Sequence, residues 1–372
     1  MRVGLGLAAV GLGVTATTGV VAAGSGVVTA LGGRPDPDRL RTSPRYRDGA
    51  FHNPRPAHWV PRGSTLDLLR DMVAARRARR PIGAVPLVAP DTAPERGLHL
   101  TWYGHASSLV QLDDTRVLFD PVFSDRASPS RLVGPKRLHP VPHRLDELPR
   151  LDAVVISHDH YDHLDMTTVR ELARTSEAVF VVPLGVRAHL CAWGVPGERV
   201  TELDWGHGTR VGGVWLTATP ARHFSGRAFA RNTTLWASWV VASARHRVFY
   251  SGDTGYIDGF TDIGREHGPF DATLIQVGAY AESWPDIHMT PEQGVATHRD
   301  VRGGLLVPVH WGTFTLAPHG WAEPIERVLR AADEHGVPVA VPRPGERIDV
   351  TAPPPVRGWW RPHSPDGAST PR

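Results

Sequence analysis

The chain has 372 residues, 41% of them apolar and 21% charged, the values of a soluble globular protein with a substantial core. Its formal charge of +3 implies no strong field for nucleic acid. The single cysteine, Cys191, excludes an internal disulfide and a cysteine-rich zinc site, and is expected as a small buried apolar group.

Residues 3–33 carry no charge and are long enough to span a bilayer, which needs roughly 20 apolar residues. The segment reads first as an uncleaved membrane anchor. A signal peptide cut after Val21-Ala22-Ala23, or a disordered extension, are the alternatives. Only Arg2 precedes it, whereas Arg34, Arg39, Arg41, Arg45 and Arg47 follow, which favours a cytoplasmic main domain over export. Residues 34–97 form a Pro/Arg-rich arm. Within it, 64–80 reads as a helix capped by Ser64, with Leu66, Leu69, Met72 and Val73 on one face. Arg76, Arg77, Arg79 and Arg80 at its end suit the helix dipole, and contact with anionic lipid is the second reading for them.

Strands are expected at 98–103, 107–112, 116–120, 153–157, 179–182, 214–218, 234–242, 246–251, 273–277 and 304–309. Helices are expected at 166–175, 185–192, 256–266, 291–299 and 323–334. The class is α/β with mixed sheets over a domain at 98–350, in an order compatible with two facing halves. Residues 351–372 read as a loose Pro-rich tail.

The chemistry concentrates at 157–165, SHDHYDHLD, directly after the apolar run 153–156. His158 and His160 are two apart, so in extended chain they point the same way. Asp162 and His163 follow a turn and can face a second point, so the spacing supplies two clusters of ligands. Imidazole nitrogens with carboxylate oxygens suit zinc, and also iron or manganese, and coordination offsets the desolvation of these groups. Three further strand ends offer candidates: His223 in TPARHFSG, Asp253 in YSGDTGY and His310 in VPVHWGTF. Each alone has an ordinary explanation. Together they complete seven ligands, His158, His160, Asp162, His163, His223, Asp253 and His310, with one carboxylate free to bridge.

This pattern resembles the metallo-β-lactamase superfamily and, more closely, the N-acyl-phosphatidylethanolamine-hydrolysing phospholipase D family. The resembling stretches include FHNPRP (51–56), TWYGHASSLVQL (101–112), LFDPVFSDRASPSRLVGPKR (118–137), ISHDHYDHLD (156–165), SGDTGY (251–256) and HWGTF (310–314). The resemblance implies an αβ/βα sandwich with two zinc ions per chain at one edge. His158, His160 and His223 would hold one ion, and Asp162, His163 and His310 the other, with Asp253 bridging. It places His288 and Tyr161 against the substrate, His288 as the group that donates a hydrogen bond or proton near the phosphate. His105 falls near the site, in a supporting role at least as readily as a reactive one.

The implied reaction is phosphodiester hydrolysis by a metal-bridging hydroxide, with Asp162, Asp253 and His288 as catalytic residues and an N-acylethanolamine and phosphatidic acid as products. Trp284, Trp311, Phe314, Tyr280 and Phe224 are candidates to line an apolar approach. The expected partners are a phospholipid and a membrane surface, with a homodimer as an open alternative and no nucleic acid. The rival enzyme is a hydrolase of a sugar lactone or a nucleic-acid phosphodiester on the same site.

Overall fold

The computed structural model of the chain describes residues 26–57, 65–91, 96–227 and 230–365. Among the described residues thirteen strands form two main sheets. The first takes β1 (Leu98–Gly104), β2 (Ser107–Leu112), β3 (Thr115–Phe119), β4 (Ala153–Val155), β5 (Val179–Pro183) and β6 (Val200–Leu203). The second takes β7 (Gly208–Val211), β8 (Val214–Thr219), β9 (Ser238–Ala242), β10 (Arg247–Tyr250), β11 (Phe270–Gln276) and β12 (Gly303–Val309). The last strand, β13 (Arg347–Asp349), returns to pair with β1, so the first sheet runs β13-β1-β2-β3-β4-β5-β6. Each sheet is an antiparallel meander that turns parallel at its third or fourth chain-order strand, at β3–β4 and at β10–β11.

Burial explains the sequence pattern. β4 and β5 read as continuous apolar runs, AVV and VFVVP, because both of their faces are covered. Val155 and Val181 face the second sheet in the larger core, while Val154 and Phe180 face helices α2 (Met166–Thr175) and α3 (Val186–Ala192). The second sheet is covered by α4 (Gly259–His267), α5 (Pro291–Asp300) and α6 (Glu323–His335), through Phe260, Val295 and Val328. The result is the αβ/βα sandwich of two mixed sheets that the sequence implies.

Several boundaries move. The helix expected over 64–80 runs Thr65–Ala74; the Arg79 side chain folds back and donates to the Met72 carbonyl at 2.8 Å, closing its end. The Ser64 cap lies outside the described residues. β6, β7 and β13 are not visible in the sequence because they are short; in β13 only Ile348 is buried. Cys191 is exposed on α3, on the face turned away from the apolar contacts of Val186 and Leu190, and is not the buried group expected.

Both ends of the described part of the chain pack on the domain. Residues 1–25 of the apolar segment lie outside the described residues, but the turn Val27–Ala30 sits on α3: Trp193 Nε1 donates to the Thr29 carbonyl at 2.7 Å and the Arg227 guanidinium to the Ala30 carbonyl at 2.8 Å. Among the described residues no helix is long and apolar enough to cross a membrane. The tail expected as loose is fastened up to residue 365. Trp360 is fully buried and donates to Glu326 at 2.7 Å, and Trp359 and Trp360 lie 5.6 and 6.0 Å from the Trp311 ring. Burying large aromatic rings outweighs the extended preference of the surrounding prolines.

Candidate metal centre

The first half delivers its groups on one loop. After β4 the chain leaves the sheet and turns; the carbonyl of His160 accepts from the amides of His163 and Leu164, at 3.1 and 2.8 Å. The two carboxylates of SHDHYDHLD that are not expected ligands hold this loop in shape. Asp159 accepts from the Gly226 amide at 2.7 Å, and Asp165 caps α2 through the Thr168 amide at 3.1 Å. The second half delivers His223, Asp253 and His310 from the ends of β8, β10 and β12. Gly252 permits the tight approach before Asp253: it has φ +54°, and a Cβ there would lie 2.7 Å from Ser157 Cβ and 2.9 Å from the Ala237 carbonyl. His105, Asp120 and His310 also adopt positive φ, at 53°, 38° and 65°. Such backbone strain in non-glycine residues clusters at functional sites, and here all three surround one centre.

All seven expected ligands meet. His158, His160 and His223 bring one nitrogen each to a common point: His158 Nε2 lies 2.8 Å and His223 Nε2 3.3 Å from His160 Nδ1. Beside them, Asp162, His163 and His310 converge, with His310 Nε2 at 3.1 Å from His163 Nε2 and 3.4 Å from Asp162 Oδ2. Asp253 lies between the groups. Its Oδ2 is 3.1 Å from both His163 Nε2 and His310 Nε2, and 3.9 Å from the Nε2 atoms of His158, His223 and His288.

The donor set fits metal ions. Tetrahedral ligands at a zinc–nitrogen distance of about 2.0 Å sit roughly 3.3 Å apart, close to the separations seen. The imidazoles of His158, His163, His223 and His310 are almost fully buried, and aiming their nitrogens at one another without a cation opposes lone pairs in a dry interior.

The charges divide in the same way. Burial, reinforced by neighbouring imidazoles, holds His158 and His223 well below the ordinary histidine value, and burial lowers His160. Burial also opposes protonation of His163 and His310, but the carboxylates around them win and raise both, His163 far above its usual range. Burial would raise Asp162 and Asp253, yet His163 and the other imidazoles hold both well below the usual carboxylate range. The three-histidine group is thus ready-neutral, whereas the aspartate-containing group stores protons where a cation would sit.

Supporting hydrogen bonds fix which nitrogens face inward. His163 Nδ1 donates to Asp120 Oδ2 at 2.7 Å, and His223 Nδ1 donates to the Ile287 carbonyl at 2.9 Å. Asp120 is fully buried and also accepts from the Ser157 and Tyr250 hydroxyls, both at 2.5 Å. The sequence reading assigned it no role, although an aspartate following the apolar strand VLF repeats the setting of Asp253. His105 Nε2 donates to Asp162 Oδ2 at 3.0 Å, and its ring packs tilted against that of His310, with the centroids 3.9 Å apart. Asn53 of the arm, also unassigned from sequence, clamps the His223 backbone: it donates to the carbonyl at 2.7 Å and accepts from the amide at 3.2 Å.

His288 reaches the edge of the centre, and burial brings it down to about 4, so it is neutral at pH 7. Tyr161 stacks on the Arg227 guanidinium at 4.1 Å, beside a cavity of about 340 Å³. Of the aromatics expected along the approach, Phe224 lies 4.5 Å from the His160 ring and Phe314 5.1 Å from that of His105. Trp311 belongs to the tryptophan cluster of the core, Tyr280 bonds Glu323 at 2.5 Å, and Trp284 donates to the Ala279 carbonyl.

Comparison with known proteins agrees with the fold. The beta-lactamase superfamily domain matches residues 115–311. An uncharacterized protein of Mycobacterium tuberculosis is 53% identical over 330 residues, 86% of this chain and 88% of that one. The N-acyl-phosphatidylethanolamine-hydrolyzing phospholipase D 1 of Caenorhabditis elegans is 36% identical over 260 residues, 66% of this chain and 73% of that protein. A solved metallo hydrolase of the archaeon Ignicoccus hospitalis shares the fold, with a TM-score of 0.52 at 22% identity over 68% of this chain and 97% of that one. The chain therefore belongs to the metallo-β-lactamase superfamily, as a metal-dependent hydrolase with N-acyl-phosphatidylethanolamine-hydrolyzing phospholipase D among its relatives.

Proposed function

We propose that the chain is a phosphodiesterase of the phospholipase D type. In this reading it hydrolyses N-acyl-phosphatidylethanolamine to an N-acylethanolamine and phosphatidic acid, with two zinc ions in the centre. The observation that carries the reading is the place of Asp253, one carboxylate oxygen set between two imidazole groups, with His288 at its open side. The identity to the Caenorhabditis elegans relative supports the choice of substrate.

Two bound cations supply Lewis-acid polarisation of phosphoryl oxygens and a lower pKa for water. His158, His160 and His223 would hold one ion and Asp162, His163 and His310 the other. Asp253 would serve both and fix their separation. Asp162, held by His105, orients a water proton; with its carboxyl so far below the usual range it does not retain one. His288, neutral at pH 7, donates a hydrogen bond from its ring N–H to a phosphoryl or leaving oxygen and carries no second proton to give up. Tyr161, braced by Arg227, would bound the substrate on the cavity side. A lipid substrate agrees with the uncharged residues 3–25 as a membrane anchor, with the domain on the cytoplasmic side.

The test is a parallel assay of the full chain in detergent on N-acyl-phosphatidylethanolamine, bis-p-nitrophenyl phosphate and a sugar lactone, with metal content measured on the same sample. Turnover of both phosphodiesters with two zincs per chain is expected. Lactone turnover with none on either phosphodiester overturns the proposal.

A further inference from the structure

We propose that the rim of the cavity beside Tyr161 is a membrane-docking surface, seated on an anionic lipid bilayer through Leu132 and Val133 of the 124–137 loop and Val28 of the N-terminal turn. The cavity is bounded on one side by that loop, on another by Ala30, and inward by Tyr161, which sits between the expected ligands His160 and Asp162. None of the seven expected ligands lines the cavity, so a surface docked at this rim would reach the ligand loop through Tyr161.

The loop is braced so that its tip must point outward. The Ala127 amide donates to the Pro135 carbonyl at 3.0 Å, and the Arg137 amide to the Asp125 carbonyl at 2.8 Å. The Arg126 guanidinium then ties the inside of the loop, bonding the carbonyls of Arg131 and Gly134 at 3.2 and 2.6 Å. What this frame presents is apolar: Leu132 and Val133 are 67% and 61% exposed. Val28 is 65% exposed on the turn held by Trp193 and Arg227, whose Ala30 lines the cavity. Adjacent exposed aliphatics on a fixed frame mark an interaction surface rather than a frayed loop.

Charge and chain direction select the occupant. Among the described residues no carboxylate pairs with Arg126, Arg131 or Lys136; Arg126 is bonded inside the loop, and Arg131 and Lys136 flank the apolar tip in sequence as cations. Two copies of this rim would repel each other, whereas anionic headgroups would be attracted to it. The uncharged residues 3–25 lead by sequence into the turn that carries Val28, and Ala30 of that turn lines the same cavity as the 124–137 loop. The inference rests on the proposed lipid substrate for its purpose, but its test does not.

The experiment uses the full chain with exposed Cys191 replaced (Cys191→Ser) and an environment-sensitive nitrobenzoxadiazole label at Leu132→Cys. The control is the same label at Trp215→Cys, an exposed position at the start of β8, at the opposite end of that strand from His223. With equimolar phosphatidylglycerol and phosphatidylcholine vesicles the label at 132 should shift to the blue, less so with phosphatidylcholine alone, and the label at 215 should not respond. No shift at 132, or equal shifts at both positions, overturns the proposal. A shift at 132 that grows with protein concentration in the absence of vesicles assigns the rim to a second copy and also overturns it. The double change Leu132→Glu, Val133→Glu should lower turnover of vesicle-borne substrate roughly tenfold and leave bis-p-nitrophenyl phosphate turnover unchanged; equal loss on both refutes the docking role. If the wild-type chain turns over neither phosphodiester, the functional reading fails while the label result still decides the surface.

Discussion

The two halves of the sandwich build their shares of the centre in different ways. The first half contributes four groups from one loop, spaced by the loop's own turn. The second contributes three groups from three strand ends, brought together by the sheet alone. The corresponding strand ends, after β3 and after β10, both carry an aspartate, and both aspartates grip the same imidazole. Asp120 holds His163 Nδ1 from behind at 2.7 Å, and Asp253 faces its Nε2 at 3.1 Å. One carboxylate has become an orienting partner and the other a candidate ligand. A local loop can set ligand spacing, but where two metal positions must share an oxygen, the fold has to supply it from across the sheets.

The largest expected effect falls on that shared oxygen. Asp253→Asn should reduce turnover by about 10³-fold or more and remove metal from both positions; full turnover in this variant would end the bridging role. Asp120→Asn tests the opposite side of His163. It should weaken metal binding at the Asp162/His163/His310 position by about 10–100-fold and spare the three-histidine position, as read by competition with a chelator. Equal weakening at both would remove the distinction between the positions.

Proton release sharpens the same contrast. His163 titrates well above the ordinary histidine value, so at pH 7 it holds a proton that a cation must displace, and the carboxylates around His310 raise that imidazole too. Affinity at their position should therefore climb with pH, by about tenfold per unit for each proton lost. His158, His160 and His223 titrate low, so affinity at their position should be flat above about pH 6.5. Calorimetry in buffers of differing ionisation enthalpy separates the two. The smallest effect belongs to the arm: Asn53→Ala leaves the His223 amide and carbonyl without this partner and should cost about 2 kcal/mol in thermal unfolding, with a few-fold loss at the three-histidine position only.

The first half was readable because SHDHYDHLD compresses its chemistry into consecutive residues. His223, Asp253 and His310 were readable as strand ends with unusual residues; their meeting was inferred from the ligands that SHDHYDHLD leaves missing and from resemblance, since spacing cannot show convergence across more than a hundred residues. Asp120 and Asn53 escaped for a related reason. A buried hydrogen-bond acceptor after an apolar strand and an asparagine in a Pro-rich arm look ordinary until their partners are known. The tail misled because proline content argues for extension, while Trp359 and Trp360 find their pocket only in the folded protein. Short strands such as β13 carry one buried residue and so leave no alternating signature.

That last strand has a mechanical consequence. By pairing Arg347, Ile348 and Asp349 with Thr101, Leu100 and His99, the chain's second half is stitched into the sheet of its first. The molecule cannot gape like a clamshell without tearing this seam, so reactants must enter, and products leave, by the loops that border the centre. Any gating belongs to those loops, and the two sheets behave as one stiff frame that keeps its ligands at fixed range throughout a catalytic cycle.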